Sequence, residues 1–84
     1  MNTCVITFRS VTFAQRGEGV LRRAGLGCTL QRTPRWMEEQ GCGYSLRLRH
    51  RDGAAAVRLL RESNIAFRKV YLHDGSGTLE ELVL

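Results

Sequence analysis

The chain has 84 residues, of which 43% are hydrophobic and 25% are charged, a balance typical of one small folded domain rather than a disordered segment. Its net charge is +5, and all thirteen basic residues except Lys69 are arginines, so the protein attracts anions. No apolar run approaches the roughly 18 residues that a membrane span needs, and residues 1–8 do not have the form of a signal peptide. We therefore expect a cytoplasmic protein.

The hydrophobic pattern predicts strands that alternate with helices. In chain order, the predicted elements are a strand over 3–8, a helix over 11–24, a strand over 27–31, one or two helical turns over 33–40, a strand over 44–50, a helix over 53–63 and a strand over 66–72. The side chains of Ser10 and Asp52 can cap helix starts, and Gly25 and Asn64 are suitable helix ends. Gly17 weakens the first helix, and close packing against a sheet would be a structural reason for it.

The strand over 44–50 alternates most clearly between apolar and polar residues. Its apolar side, which we expect to face the core, consists of Tyr44, Leu46 and Leu48. Its polar side, which we expect to face solvent, consists of Ser45, Arg47 and Arg49.

The order βαββαβ predicts an α+β fold, the ferredoxin-like sandwich, with a four-stranded antiparallel sheet and two helices on one face. In this fold the strands lie in the order 4-1-3-2, and the connections are right-handed. We expect a single domain over residues 1–74 and a C-terminal tail over 75–84. The tail could fold back on the domain, pair with another subunit or fray.

Three cysteines, Cys4, Cys28 and Cys42, are present, and no pair has the C-x-x-C spacing. An odd number without that spacing argues against a disulfide framework, and His50 and His73 are too far from the cysteines to suggest a zinc site. We expect no metal and no cofactor.

The three cysteines differ in their sequence surroundings. Cys4 and Cys28 fall inside predicted strands, where cysteine mostly packs as a small hydrophobic residue. Cys42 stands between Gly41 and Gly43, which leaves its thiol open to approach. We therefore expect Cys42 to be the accessible cysteine, although an incidental cysteine in a tight turn is an alternative.

The predicted topology places Cys42 at the end of the sheet where the first helix begins. There the helix N-terminus after Ser10 and the side chains of Arg9, Arg32 and Arg35 would stabilise a thiolate. If residues 34–40 are helical, the negative end of that helix would act in the opposite direction. The sequence leaves this balance open.

Several segments together resemble the small bacterial family of selenium/sulfur carrier protein-like domains, over roughly residues 4 to 72. They are the opening V-I-T-F strand followed by Arg9 and Ser10, the helix end L-R-R-A-G at 21–25, the T-P-R segment at 33–35, the C-G pair at 42–43, and the second helix end at 59–65. The resemblance implies that Cys42 carries the chalcogen as a persulfide or selenosulfide. It also implies supporting roles for Thr33, Pro34, Arg35 and Gly43, with Ser10 at the neighbouring helix start.

A carrier of this kind would be an accessory protein rather than a stand-alone enzyme. The resemblance implies a cysteine desulfurase or a selenium-delivery enzyme as donor and an unidentified enzyme as acceptor. One alternative is a small regulatory or protein-interaction domain that binds a ligand or forms a homodimer through its sheet. A weaker alternative is RNA binding, because Phe8 and Tyr44 occupy central strands but the basic-glycine-aromatic signature is missing.

Overall fold

The computed structural model describes residues 3–33, 43–73 and 79–82. The strands are β1 (Thr3–Phe8), β2 (Cys28–Arg32), β3 (Tyr44–Arg49), β4 (Val70–His73) and β5 (Leu79–Leu82), and the helices are α1 (Val11–Arg23) and α2 (Gly53–Glu62). A 3-10 turn over His50–Asp52 connects β3 to α2. Within these ranges, neither helix has the length and apolar character needed to cross a membrane. The helical turns predicted over 33–40 lie almost wholly outside the described residues.

The five strands form one antiparallel sheet in the order β2-β3-β1-β4-β5. The α+β class, the first four strands and the two helices agree with the prediction from the sequence. The sequence predicts only four strands and leaves three alternatives for the tail, of which folding back on the domain is the one that the structure shows. Residues 79–82 of the predicted tail fold back and pair with β4, with Val70 opposite Leu82 and His73 opposite Leu79.

Helix α1 has the predicted start and end. The Phe13 backbone N–H donates to the hydroxyl of Ser10 at 3.3 Å, which makes Ser10 the N-cap. After the helix, Gly25 takes a φ of +85°, a conformation that glycine adopts without strain, and the N–H of Leu26 returns to the carbonyl of Leu21 at 2.9 Å.

Helix α2 begins differently from the prediction. Asp52 belongs to the preceding 3-10 turn and its side chain makes no capping hydrogen bond, so the predicted cap is wrong. The end is as expected, because Asn64 has a φ of +56° and the Ile65 N–H donates to the carbonyl of Leu60 at 2.9 Å. This turn directs Ile65 into the core, where it is 7% exposed.

Strand β4 starts at Val70 rather than at residue 66 as predicted. The reason lies at Thr7 of β1, which bonds to two successive residues of the incoming chain. The Arg68 N–H donates to the Thr7 carbonyl at 2.7 Å, while the Lys69 N–H donates to the Thr7 hydroxyl at 3.0 Å. Two residues opposite one resemble a bulge, so regular pairing begins only at Val70.

The core lies between the sheet and the two helices. Its fully buried members with large side chains are Ile6, Phe8, Leu21, Leu46, Leu60 and Val70. Gly17 of α1 faces this cluster, and a Cβ atom there would lie 3.1 Å from Phe8 Cζ and 3.2 Å from both Leu46 Cδ1 and Leu60 Cδ2. The helix therefore approaches the sheet more closely than a side chain would allow, which is the reason anticipated for this glycine.

We expect Gly17→Ala to lower the free energy of unfolding by about 1–3 kcal/mol, because the methyl group overpacks a filled core. Gly19→Ala is the matched control, since its Cβ would meet only Arg23 Nη2 at 4.0 Å. That control should stabilise the protein by up to about 1 kcal/mol through helix propensity alone. Urea unfolding of both variants measures the difference, and equal effects would contradict the close approach.

Candidate functional site

The segment that contains Cys42 leaves the sheet and returns to it at the same end. Arg32 at the end of β2 and Phe8 at the end of β1 both pair with Tyr44 at the start of β3. Beyond them, the Thr33 N–H donates to the Gly43 carbonyl at 3.0 Å. The structure thus brings Thr33 and Gly43 together at the base of the connection between β2 and β3.

Three of the predicted site residues, Cys42, Pro34 and Arg35, lie outside the described residues. Ser10 follows β1 at this same end, but its hydroxyl already accepts the Phe13 N–H as the cap of α1. The first-turn amides of Val11 and Thr12 have no acceptor within the helix, since the first N–H groups of any helix lack an intrahelical partner. They are the anion-stabilising groups that the described part of this end offers.

Arginine side chains add positive charge at this end. The guanidinium of Arg32 lies over the ring of Tyr44, 5.9 Å from its centroid, which holds a cation beside the end of β2. Arg9 contributes to a small cavity of about 220 Å³ that Phe13, Phe67 and Arg68 also line. Phe13 is 37% exposed, so an apolar ring stands at the surface next to the start of α1.

Among the described residues at this end, two buried hydroxyl groups have no hydrogen-bond partner. They belong to Thr33, which is 7% exposed, and Ser45, which is fully buried. The expectation that Ser45 faces solvent was wrong. Ser45 does lie on the sheet face away from the helices, but this face also buries its neighbour Thr7 and nearby Val5. The alternation of residues along a strand predicts on which sheet face a side chain lies. It does not predict whether that face is covered.

An unpartnered buried hydroxyl costs about 1–3 kcal/mol of desolvation. Native proteins contain few such groups, and each is explained by an ordered water, a bound ion or a functional role. Thr33 and Ser45 lie on the same sheet face, because Ser45 pairs with Gln31, two residues before Thr33. Their hydroxyls are therefore candidates for contacting a bound group at the base of the connection.

The other two cysteines are buried, as predicted. Cys4 is fully buried in the core, and burial raises the pKa of its thiol to about 11. Burial also raises the pKa of Cys28, although the charge of Arg22 acts in the opposite direction. Because only the thiolate is a good nucleophile, burial makes both thiols poorer nucleophiles than an exposed cysteine.

Acidic, histidine and cysteine side chains do not converge in the part of the chain that the structure describes, where no group of three could hold a metal ion. His50 begins the 3-10 turn after β3.

The chain matches one protein family, described as Putative Se/S carrier protein-like, over residues 3–72. The match includes the first four strands, both helices and the connection between β2 and β3, and it ends before β5. No curated protein and no solved structure matches the chain.

We expect Ser45→Ala to leave the free energy of unfolding unchanged or to raise it by up to about 1 kcal/mol, because the variant removes an unpartnered buried hydroxyl. Thr7→Val is the matched control on the neighbouring strand. The Thr7 hydroxyl accepts the Lys69 N–H, so its removal should cost about 1–2 kcal/mol. Urea unfolding compares the two, and a loss of similar size at Ser45 would show that its hydroxyl has a partner.

The raised pKa of Cys4 predicts a pH dependence of stability. Since the folded thiol titrates near 11 and the unfolded one near 9.0, the stabilisation is complete below pH 9 and is lost as the pH rises towards 11. The slope should approach about 1.4 kcal/mol per pH unit within that window. Urea unfolding of wild type and Cys4→Ala across pH 8–10.5 tests this, and identical slopes would refute it.

Proposed function

Because the chain belongs to the Se/S carrier protein-like family, we propose that it holds sulfur or selenium on the thiol of Cys42 and passes it to a partner enzyme. The observation that carries the proposal is the family match over residues 3–72. We infer a carrier or accessory role rather than a stand-alone enzyme. We also take the fold to be the ferredoxin-like sandwich. Four of its strands are neighbours in the order β2-β3-β1-β4, and both helices contribute to one core.

The state of the other cysteines supports the assignment to Cys42. Cys4 and Cys28 are buried and burial raises the pKa of both thiols, which disfavours them as carriers. Cys42 is the remaining cysteine and stands between two glycines, next to Gly43 at the base of the connection.

The proposed loading step is a transfer between two thiols. The Cys42 thiolate attacks the terminal sulfur of a persulfide on the donor, a bond forms between the two sulfur atoms, and the donor's S–S bond breaks. The donor cysteine leaves as a thiolate and takes up the proton that Cys42 lost earlier to water. No external oxidant or reductant is needed, and transfer to the acceptor repeats the same exchange.

The surrounding groups suit an anionic terminal atom. The amides of Val11 and Thr12 and the charge of Arg32 favour a negative charge at this end of the sheet. On the sheet face away from the helices, the hydroxyl of Thr33 is a further hydrogen-bond donor at the base of the connection. Pro34 and Arg35, which the family resemblance includes, complete the proposed support.

The donor in this proposal is a cysteine desulfurase or a selenium-delivery enzyme, and the carrier works in the cytoplasm, alone or as a homodimer. Both handovers require brief docking on another protein. A net charge of +5 favours fast association with acidic surfaces, and the exposed ring of Phe13 offers an apolar contact near the start of α1.

We expect Cys42→Ser to abolish loading when the protein is incubated with a cysteine desulfurase and cysteine. Intact mass spectrometry should show a gain of about 32 Da, one sulfur atom, on wild type and none on this variant, because the persulfide needs a thiolate. Cys28→Ser and Cys4→Ser are the matched controls and should load like wild type. Loading that survives in Cys42→Ser, or that disappears only in a control, would overturn the assignment.

A further inference from the structure

A second candidate site lies at the opposite end of the sheet from the Thr33–Gly43 base. Here a cavity of about 710 Å³ opens where β3 ends and β2 begins. Its lining includes Arg47, Arg49, His50 and Arg51, which follow one another along β3 and the 3-10 turn, and the wall of β2 at Cys28. A strand of six residues separates the two ends, so this cavity is distinct from the proposed carrier site.

The cavity is strongly cationic. None of its lining residues in the described part of the chain is acidic. The single salt bridge found among the described residues joins Arg22 to Glu18 at 3.5 Å, so Arg47, Arg49 and Arg51 have no carboxylate partner there. Three like charges that line one cavity repel one another, and a bound anion would relieve that repulsion.

Hydroxyl groups stand beside two of the arginines. In the register of the sheet, Arg47 is opposite Thr29 of β2, and Arg49 is opposite Thr3 of β1. Both threonines line the cavity. A guanidinium next to a hydroxyl provides several donors to one group of oxygen atoms, an arrangement that suits phosphate.

The volume and the lining of the cavity indicate the kind of ligand that it fits. The volume falls within the range of about 300–1,000 Å³ that is usual for small-molecule sites. Leu48 and Cys28 contribute little side-chain surface, because both are packed in the core on the other face of the sheet. No described lining residue is aromatic, whereas sites for single-stranded nucleic acid stack bases on aromatic side chains. The observations favour a small anionic molecule over a nucleic acid strand.

We propose that this cavity binds a small phosphorylated molecule, with the phosphate on Arg47, Arg49 and Arg51 and beside the hydroxyls of Thr3 and Thr29. The site is independent of Cys42 and would remain if the carrier function were disproved. It gives the basic surface a specific ligand in place of the general attraction for anions that the net charge alone indicates.

The test uses phenyl phosphate, which joins a phosphate to an apolar ring, and follows the amide resonances of the full chain by NMR. We expect saturable shifts confined to residues 27–29 and 47–51. Arg47→Gln combined with Arg49→Gln should weaken binding at least about tenfold, because charge-assisted hydrogen bonds are lost. Both arginines are exposed, so the double variant should fold, and its NMR spectrum checks this.

Arg16→Gln combined with Arg58→Gln is the matched control, since it removes the same two charges from exposed positions on α1 and α2. This control should bind phenyl phosphate like wild type. If both double variants bound phenyl phosphate equally weakly, the affinity would depend on the overall surface charge rather than on this cavity, and the proposal would be overturned. Binding of phenol as tight as that of phenyl phosphate, a stronger response to a single-stranded oligonucleotide at the same residues, or no saturable shift would also overturn it.

Discussion

The close approach of α1 to the sheet at Gly17 is the contact on which the rest of the structure depends. One small residue lets the helix backbone approach Phe8 of β1, Leu46 of β3 and Leu60 of α2 at once. This contact fixes the height of the helix above the two central strands. It therefore also fixes where the helix begins, and Ser10 with the first free amides comes to stand beside the end of β1.

The antiparallel sheet gives the two ends of the molecule different chemistry. At the end with Thr33 and Gly43, the described groups are hydroxyls, helix amides and a cation held over an aromatic ring. At the other end, three guanidinium groups that have no carboxylate partner among the described residues line a cavity. The central strand β1 connects the ends and is buried on both faces, with Cys4 and Ile6 towards the helices and Val5 towards the opposite side. A rigid middle thus separates two surfaces that can act independently.

Much of this arrangement can be predicted from the sequence, because it depends on local rules. The β-branched residues of β1, the cap at Ser10 and the glycine turn at Gly25 all form as expected. The exceptions depend on neighbours distant in the chain. Because the Thr7 hydroxyl accepts the Lys69 N–H, regular pairing of β4 begins only at Val70. Ser45 is buried because the sheet face away from the helices is covered.

Some features of the candidate site could likewise be predicted from the sequence, and others could not. The burial of Cys4 and Cys28 could be predicted, because a small apolar side chain inside a strand packs by default. The joining of Thr33 to Gly43 follows from the register of β2 and β3. The missing partners of the Thr33 and Ser45 hydroxyls could not be predicted, since an absent hydrogen bond leaves no pattern in the residues. The role of Cys42 rests on the family and on its flanking glycines.

The fifth strand determines which backbone groups remain open for assembly. Residues 79–82 pair with β4, so that β4 is an inner strand of the sheet rather than an edge strand. These residues lie beyond the segment that matches the family. A shorter relative ending near residue 73 would leave the outer N–H and C=O groups of β4 unpaired. Such an open border is a template for adding a strand from a second molecule. Residues 79–82 therefore decide which strand is exposed at this side of the sheet: β5 in the present chain, and β4 in a chain truncated after residue 73.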